Sequence, residues 1–302
     1  MLVLPKGWDH SPAECNRNVV GSGSARWRAI QVADLGEVEV PLGGDGGVGG
    51  PTASASACGV RSWLYTGRAL VTPLGERAVE AAVLFDFGGT LDADGLTWKE
   101  RLFRLCVAEG AVLTPGRFDP LFYAADDKLV GAVPPTLSFL DTVFRLVAAV
   151  ADAMALRDNH LPIDRIARRF VGDAMETLRG NTPLLSRLSR RYRLGIVSNF
   201  YGNLATVCEE AGIRRLFGVV IDSGRVGYVK PDSRIFHRAV EELGLTPADA
   251  TFVGDSLSRD MAGARAAGMR HIWLDGGTDP TAKPCCPGDR VIASLHELEG
   301  LL

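Results

Sequence analysis

From Arg193 onward, short apolar runs alternate with helical stretches, and this alternation limits the fold more than any other feature of the chain. The runs are "RLGIVSN" (193–199), "FGVVIDS" (217–223), "ATFVGD" (250–255) and "HIWLD" (271–275). Between them lie segments with helical spacing. One covers 202–211 and stops at Gly212, and one covers 258–267 and stops at Gly268, where glycine is the favoured C-terminal residue. A third covers 232–243 and places Ile235, Phe236, Ala239, Val240 and Leu243 on one face. A helix over 183–190 leads into the first run, and "AAVLFDF" (81–87) is an earlier strand of the same kind. Strands this continuously apolar have no polar face to give to water. They must be covered on both sides, which is the condition met by parallel sheets with helical crossovers. The expected fold class is therefore α/β, with a Rossmann-like parallel sheet of about five strands and helices on both faces.

Two other regions have different character. Residues 95–180 read as helices only, at 97–109, 115–131, 136–156 and 162–178, joined by short connections marked by Pro or Gly. In the first, Trp98, Leu102, Leu105 and Cys106 share a face; in the third, Leu137, Leu140, Phe144, Val147, Ala151 and Met154 do. Residues 1–78 include "GGDGGVGG" and "TASASACG" and sustain no hydrophobic period, so they cannot offset their ordering entropy and are expected to be disordered. A start codon assigned too far upstream would produce such a segment. The expected organisation is a disordered extension (1–78), an α/β core (79–94 and 181–302) and an inserted helical unit (95–180).

Composition narrows the partners. A formal net charge of -3 gives no electrostatic reason to bind nucleic acid or an anionic membrane. No apolar stretch approaches the ~20 residues of a membrane span, and the N-terminus lacks the basic-then-apolar design of a signal peptide, so a cytoplasmic protein is expected. The cysteines (15, 58, 106, 208, 285, 286) show no paired spacing for zinc or a disulfide framework. Cys106 and Cys208 are expected as small buried hydrophobes. The histidines (10, 160, 237, 271, 296) have no metal-ligand spacing.

Ligands of such sheets bind beyond the carboxyl ends of the strands. Those ends carry Asp86, Ser198-Asn199, Asp222-Ser223 and Asp255, and Lys230 stands before a helix opened by Pro231. In this setting "FDFGGTLD", "IVSN", "VGYVKPDSRIF" and "VGDSLSRDMAGARAAGM" resemble, in order, the four motifs of the haloacid dehalogenase-like hydrolase superfamily. The resemblance covers residues 81–302, and it implies that the helical unit is the family's cap. It also implies roles. Asp86 is the nucleophile that forms an aspartyl-phosphate; Ser198 and Asn199 bind the transferring phosphoryl, as do Gly89 and Thr90; Lys230 pairs with Asp86 and the phosphoryl oxygens. Magnesium is implied at Asp86, the Gly88 carbonyl and Asp255, with Asp260 in support. The implied partner is a small phosphorylated substrate.

Gly88 departs from the pattern. Phosphatases of this family carry a second Asp there, which protonates the leaving oxygen and then activates water. Its absence removes acid–base help typically worth about 10²–10⁴-fold. Three readings remain open: a Mg²⁺-dependent phosphohydrolase or phosphotransferase, a 2-haloacid dehalogenase whose halide leaves unprotonated, and a non-catalytic binding protein. The retained Asp255 and Asp260 count against dehalogenation, and neither Lys99 nor Lys128 lies in sequence resembling the Schiff-base lysine of phosphonate cleavage. Asp92 and Asp94 are candidate substitute acids. Trp98, Arg101, Tyr123, Asp126, Asp127 and Lys128 are candidates to face the site from the helical unit.

Overall fold

The computed structural model describes residues 81–154, 161–277, 283–284 and 289–302. The expected disordered extension lies outside them, as do Cys15, Cys58, Cys285, Cys286, His10 and His160. The strands are β1 (Ala82–Phe85), β2 (Arg193–Ser198), β3 (Val219–Asp222), β4 (Ala250–Gly254), β5 (Arg270–Leu274) and β6 (Arg290–Ile292). They form one sheet in the order β3-β2-β1-β4-β5-β6, and every neighbouring pair is parallel. This is the doubly wound order whose switch point lies between the first and fourth strands. Phe85 is in register with Ile196 on one side and Val253 on the other, so the chain leaves β1 at the crevice where ligands of such sheets bind. The sixth strand, β6, is a short edge addition to the five that periodicity reveals.

The sheet is covered on both faces. Ala82 and Leu84 pack with Ile235, Phe236, Ala239 and Val240 of α7 (Ser233–Glu242). Val83 and Phe85 belong to the opposite cluster, which holds the helices that follow β1. These helices are α1 (Trp98–Ala108), α2 (Pro115–Leu129), α3 (Phe139–Ala153) and α4 (Ile163–Leu188). Three shorter helices complete the core around α7: α5 (Leu204–Glu210), α6 (Ser223–Val226) and α8 (Ala262–Ala266), the last entered through a π-helical turn at Leu257–Met261. A terminal turn, α9 (Leu298–Leu301), follows. Among the described residues no helix is long and apolar enough to cross a membrane.

Two expectations are corrected here. The helices expected at 162–178 and 183–190 are one, so the expected boundary at 180/181 falls inside α4. A proline within a helix costs about 3 kcal/mol, yet Pro183 does not end this one. Leu178, Leu184, Leu185 and Leu188 are all buried along the same helix, and each contributes about 1.5–3 kcal/mol, so packing wins. In α3 the buried residues are Phe139, Thr142, Val143, Leu146, Val147, Val150 and Ala151, whereas Phe144 is 41% exposed. The segment is apolar nearly all round, so its period alone cannot choose the face.

Candidate active site

The site begins where β1 ends. Asp86 donates its N–H to the carbonyl of Val253 (2.9 Å), which fixes the end of β1 against β4. The chain then turns through Phe87–Leu91. Gly89 adopts φ 92°, and a Cβ there would lie 2.5 Å from Oδ2 of Asp255, so only glycine lets the turn pass beneath that carboxylate. Asp92 closes the turn and is fully buried. Its Oδ1 accepts from Gly89 N–H (2.7 Å), and its Oδ2 accepts from Trp98 Nε1 (2.7 Å) and Arg101 Nη1 (2.8 Å). Arg101 also reaches the Phe170 carbonyl (2.9 Å) and lies 4.0 Å from the centroid of that ring. Burial raises the Asp92 carboxyl, and Arg101 counters it. Asp92 is thus the knot that ties the turn to α1 and α4, with no oxygen left for a substrate.

The strand ends then supply the charges. The Ser198 hydroxyl donates to Asp86 Oδ1 (2.7 Å), and Lys230 Nζ reaches the same oxygen (2.7 Å) and Asp260 Oδ1 (2.6 Å). Burial alone would pull the Lys230 ammonium down, but Asp260 and Asp86 outweigh it and hold it above its ordinary value. The other Asp260 oxygen accepts from Ser256 N–H (2.9 Å). Asp255 is anchored by the Thr90 hydroxyl on Oδ1 (2.9 Å) and by Trp273 Nε1 on its carbonyl (2.9 Å). Its carboxyl is pushed well up, first by burial and then by the charges of Asp260 and Asp86.

Asp86, Asp255 and Asp260 present oxygens within 4.8 Å of one another. When ionised, the three carboxylates face the Lys230 ammonium and the nearby Arg259 guanidinium, which leaves one negative charge uncompensated. An all-oxygen donor set with that excess suits a hard divalent cation. Asp86 Oδ2 and Asp255 Oδ2 accept no hydrogen bond among the described residues, whereas both oxygens of Asp260 are engaged.

The expected phosphate-binding residues are all at this edge, but several spend their polar groups within the protein. Gly89 N–H goes to Asp92 and the Thr90 hydroxyl to Asp255. The Asn199 side chain brackets the backbone of Lys230, accepting from its N–H (2.7 Å) and donating to its carbonyl (3.2 Å). These three residues shape the site by holding Asp92, Asp255 and Lys230 respectively. Asp222, another strand-end acid, is likewise committed, accepting from the N–H groups of Gly202, Leu204 and Gly224.

Gly88 lies under an indole. A Cβ at Gly88 would sit 3.1 Å from Nε1 and 3.3 Å from Cδ1 of Trp98. Trp98 is 9% exposed and is packed against the rings of Phe139, Phe170, Phe200 and Tyr201 at centroid distances of 5.0–6.2 Å. A side chain at Gly88 would therefore require this tightly held indole to give by a few tenths of an ångström.

A cavity of about 80 Å³ opens over Asp86, with Gly88, Ser198, Lys230 and Asp255 in its floor and Trp98, Tyr123 and Asp126 on the helical side. Of the residues expected to face the site, Trp98, Tyr123 and Asp126 do. Arg101 is buried behind it, and Asp127 and Lys128 are exposed and do not line it. Lys99, Tyr201 and Arg259 also line the cavity and were not expected from the sequence. Tyr201 and Arg259 follow the strand-end motifs by a few residues, so the rule that ligands bind at those ends could have found them. Cys106 and Cys208 are buried thiols pushed up to about 12 by desolvation, away from this cavity.

Comparison with known proteins gives an independent view. Residues 80–268 match the family model of haloacid dehalogenase-like hydrolases. Over 112 residues the chain is 40% identical to haloacid dehalogenase-like hydrolase domain-containing protein 3 of Bos taurus, covering 36% of this chain and 44% of that protein. Over 81 residues it is 42% identical to the phosphoserine phosphatase of Thermus thermophilus, covering 27% and 32%. The matched stretches thus span less than half the length of either relative. A solved dehalogenase with an intermediate complex shares the fold, with a TM-score of 0.51 at 21% identity over 74% of this chain and 96% of that one.

Proposed function

The chain belongs to the haloacid dehalogenase-like hydrolases, and from that premise we propose that it is a Mg²⁺-dependent phosphohydrolase or phosphotransferase. Its substrate is a small phosphorylated metabolite, and the reaction passes through an aspartyl-phosphate at Asp86. The observation that carries this reading is the convergence of Ser198 and Lys230 on one oxygen of Asp86, which leaves the other without a partner among the described residues. A carboxylate held in this way can attack phosphorus in line when nearby charge neutralises the phosphoryl oxygens. Lys230 and Ser198 are the groups positioned to pair with those oxygens as Asp86 is consumed. Asp260 keeps Lys230 charged and in place, and Asn199 fixes the backbone that carries it. Asp86, Asp255 and the Gly88 carbonyl would hold the metal, with Asp260 behind them. Bound there, Mg²⁺ offsets the repulsion between these carboxylates and an anionic substrate.

The uncompensated carboxylate charge favours phosphoryl transfer over dehalogenation, which needs no metal at this place. A relative named as a phosphatase points the same way. In this reading α1–α4 form the cap, built on the expected 95–180 segment with α4 continuing into the 79–94 and 181–302 core. The cap closes over the substrate and excludes water. A panel of aryl, acyl and alkyl phosphates with Mg²⁺ tests the proposal. Turnover that requires Mg²⁺ and is abolished in Asp86→Asn is expected. Halide release from 2-haloacids without metal, or substrate binding with no turnover, would overturn it.

A further inference from the structure

Phosphoryl transfer to Asp86 still requires a proton for the leaving oxygen, and Gly88 cannot supply one. Four carboxylates line the cavity among the described residues: Asp86, Asp255, Asp260 and Asp126. The first three form the charge cluster on the core side. Asp126 stands apart from them, on α2. Among the described residues no histidine or cysteine lines this cavity. Asp92, expected as a substitute, has both oxygens committed to Gly89, Trp98 and Arg101. Asp94 does not line the cavity either.

Resting on the phosphohydrolase reading, we propose that Asp126 is the acid and base of this reaction, serving from the helical side in place of the side chain absent at Gly88. Its Oδ1 accepts the hydroxyl of Tyr201, which comes from the loop after β2, and its Oδ2 takes no partner among the described residues. The carboxylate is thus oriented by one oxygen and free at the other. The cavity holds only a handful of waters at about 80 Å³, so a phosphoryl group seated at Asp86 shares a small space with Asp126.

The charged and titratable groups around Asp126 suit the task. Burial raises its carboxyl, the Tyr201 hydroxyl and the Arg259 guanidinium oppose that rise, and Asp127 on the same helix adds to it; the balance is upward. Tyr201 is itself pushed well above its ordinary value by burial and by Asp126, so it remains a neutral donor. An acid with a raised value keeps more of its proton near neutrality, as a general acid must.

The steps balance as follows. An Asp86 oxygen bonds to phosphorus, the phosphorus–leaving oxygen bond breaks, and that oxygen takes the proton from Asp126. Asp126, now a carboxylate, takes a proton from water. The water oxygen bonds to phosphorus, the bond to Asp86 breaks, and phosphate, Asp86 and protonated Asp126 are restored. Tyr201 is a positioning residue in this scheme.

Asp126→Asn tests the assignment with two substrates. Against an alkyl phosphate, the rate is expected to fall about 10²–10⁴-fold. Against p-nitrophenyl phosphate, whose leaving group needs no proton, the first step is expected to persist while the second fails. Nitrophenol then appears as a burst, and phosphoprotein accumulates. Equal losses on both substrates without a burst, or no loss on either, would overturn the role of Asp126 while leaving the aspartyl-phosphate reading intact. That reading fails separately if the wild-type protein forms no phosphoprotein and Asp86→Asn stays active. Tyr201→Phe keeps the ring and removes the donor. It is expected to move the alkaline limb of the alkyl-phosphate pH profile upward, because the carboxyl loses a bond that favours its ionised form. An unmoved limb would overturn the positioning role.

Discussion

Restoring the missing acid by Gly88→Asp is expected to cost stability and gain nothing. The backbone does not forbid the change, since Gly88 has φ -77° and ψ 115°, which any residue adopts. The obstacle is Trp98, whose Nε1 and Cδ1 would lie 3.1 and 3.3 Å from the new Cβ. A few tenths of an ångström of movement would suffice, but the indole is bonded to buried Asp92 (2.7 Å) and wedged among four rings. Overpacking of this kind costs about 1–3 kcal/mol. Replacing a glycine returns about 0.4–1 kcal/mol by restricting the unfolded chain. The net loss is about 0–2.6 kcal/mol, with a middle value near 1 kcal/mol, and for a domain of this size each kcal/mol lowers the melting midpoint by about 2–4 °C. Gly88→Ala, which carries the Cβ alone, should fall at the small end of that range. Thermal unfolding and alkyl-phosphate kinetics on both variants make the test. A Gly88→Asp protein that melts like the wild type and gains about 10²–10⁴-fold on alkyl phosphates would show that Trp98 does not fill the acid's place, and the reasoning would be wrong.

Other perturbations address the charge cluster. Asp255 carries a raised carboxyl, so in the metal-free protein it costs stability as pH climbs from the ordinary carboxylate range through that raised value. Asp255→Asn should therefore melt above the metal-free wild type by a margin that grows across that window, while losing the stabilisation that added Mg²⁺ gives the wild type. A lower metal-free midpoint at neutral pH would contradict this. Lys230→Met leaves Asp86 and Asp260 buried without their cation and should cost about 3–5 kcal/mol in urea unfolding. A loss below about 1 kcal/mol, the scale of an exposed pair, would show that the carboxylates do not depend on it. Gly89→Ala forces a Cβ toward Asp255 at φ 92° and should cost more than about 1 kcal/mol and weaken Mg²⁺ binding. Unchanged melting and Mg²⁺ response would refute that.

Much of this site is legible in the chain because parallel sheets put chemistry at strand ends. Asp86, Ser198 and Asp255 can be located once "AAVLFDF", "RLGIVSN" and "ATFVGD" are read as strands, and the structure brings all three to one edge together with Lys230 and Asp260. What is not legible is how polar groups are shared out after folding. The sequence of Asp92 is that of a loop acid, and its burial depends on Arg101 and Trp98 arriving from α1. Thr90 and Asn199 carry donors that suit phosphate, but nearer partners in the fold claim them. The continuity of α4 across Pro183 is decided by leucine packing, which no local propensity records. The meaning of Gly88 is likewise tertiary, because the residue that fills its space is ten positions further along the chain.

The central claim is that Asp86 attacks phosphorus and that water then attacks the same phosphorus. A single turnover in heavy-oxygen water, with excess enzyme over a phosphate ester, measures this directly by mass spectrometry of the phosphate and of the peptide that carries Asp86. Transient phosphate on the Asp86 peptide is expected, followed by one heavy oxygen in the released phosphate and none in the Asp86 carboxylate. Released phosphate with no transient phosphopeptide would mean that water attacked the substrate directly. Heavy oxygen in Asp86 would mean that water attacked the carboxyl carbon of an ester intermediate, as in displacement at carbon, and would equally contradict the claim.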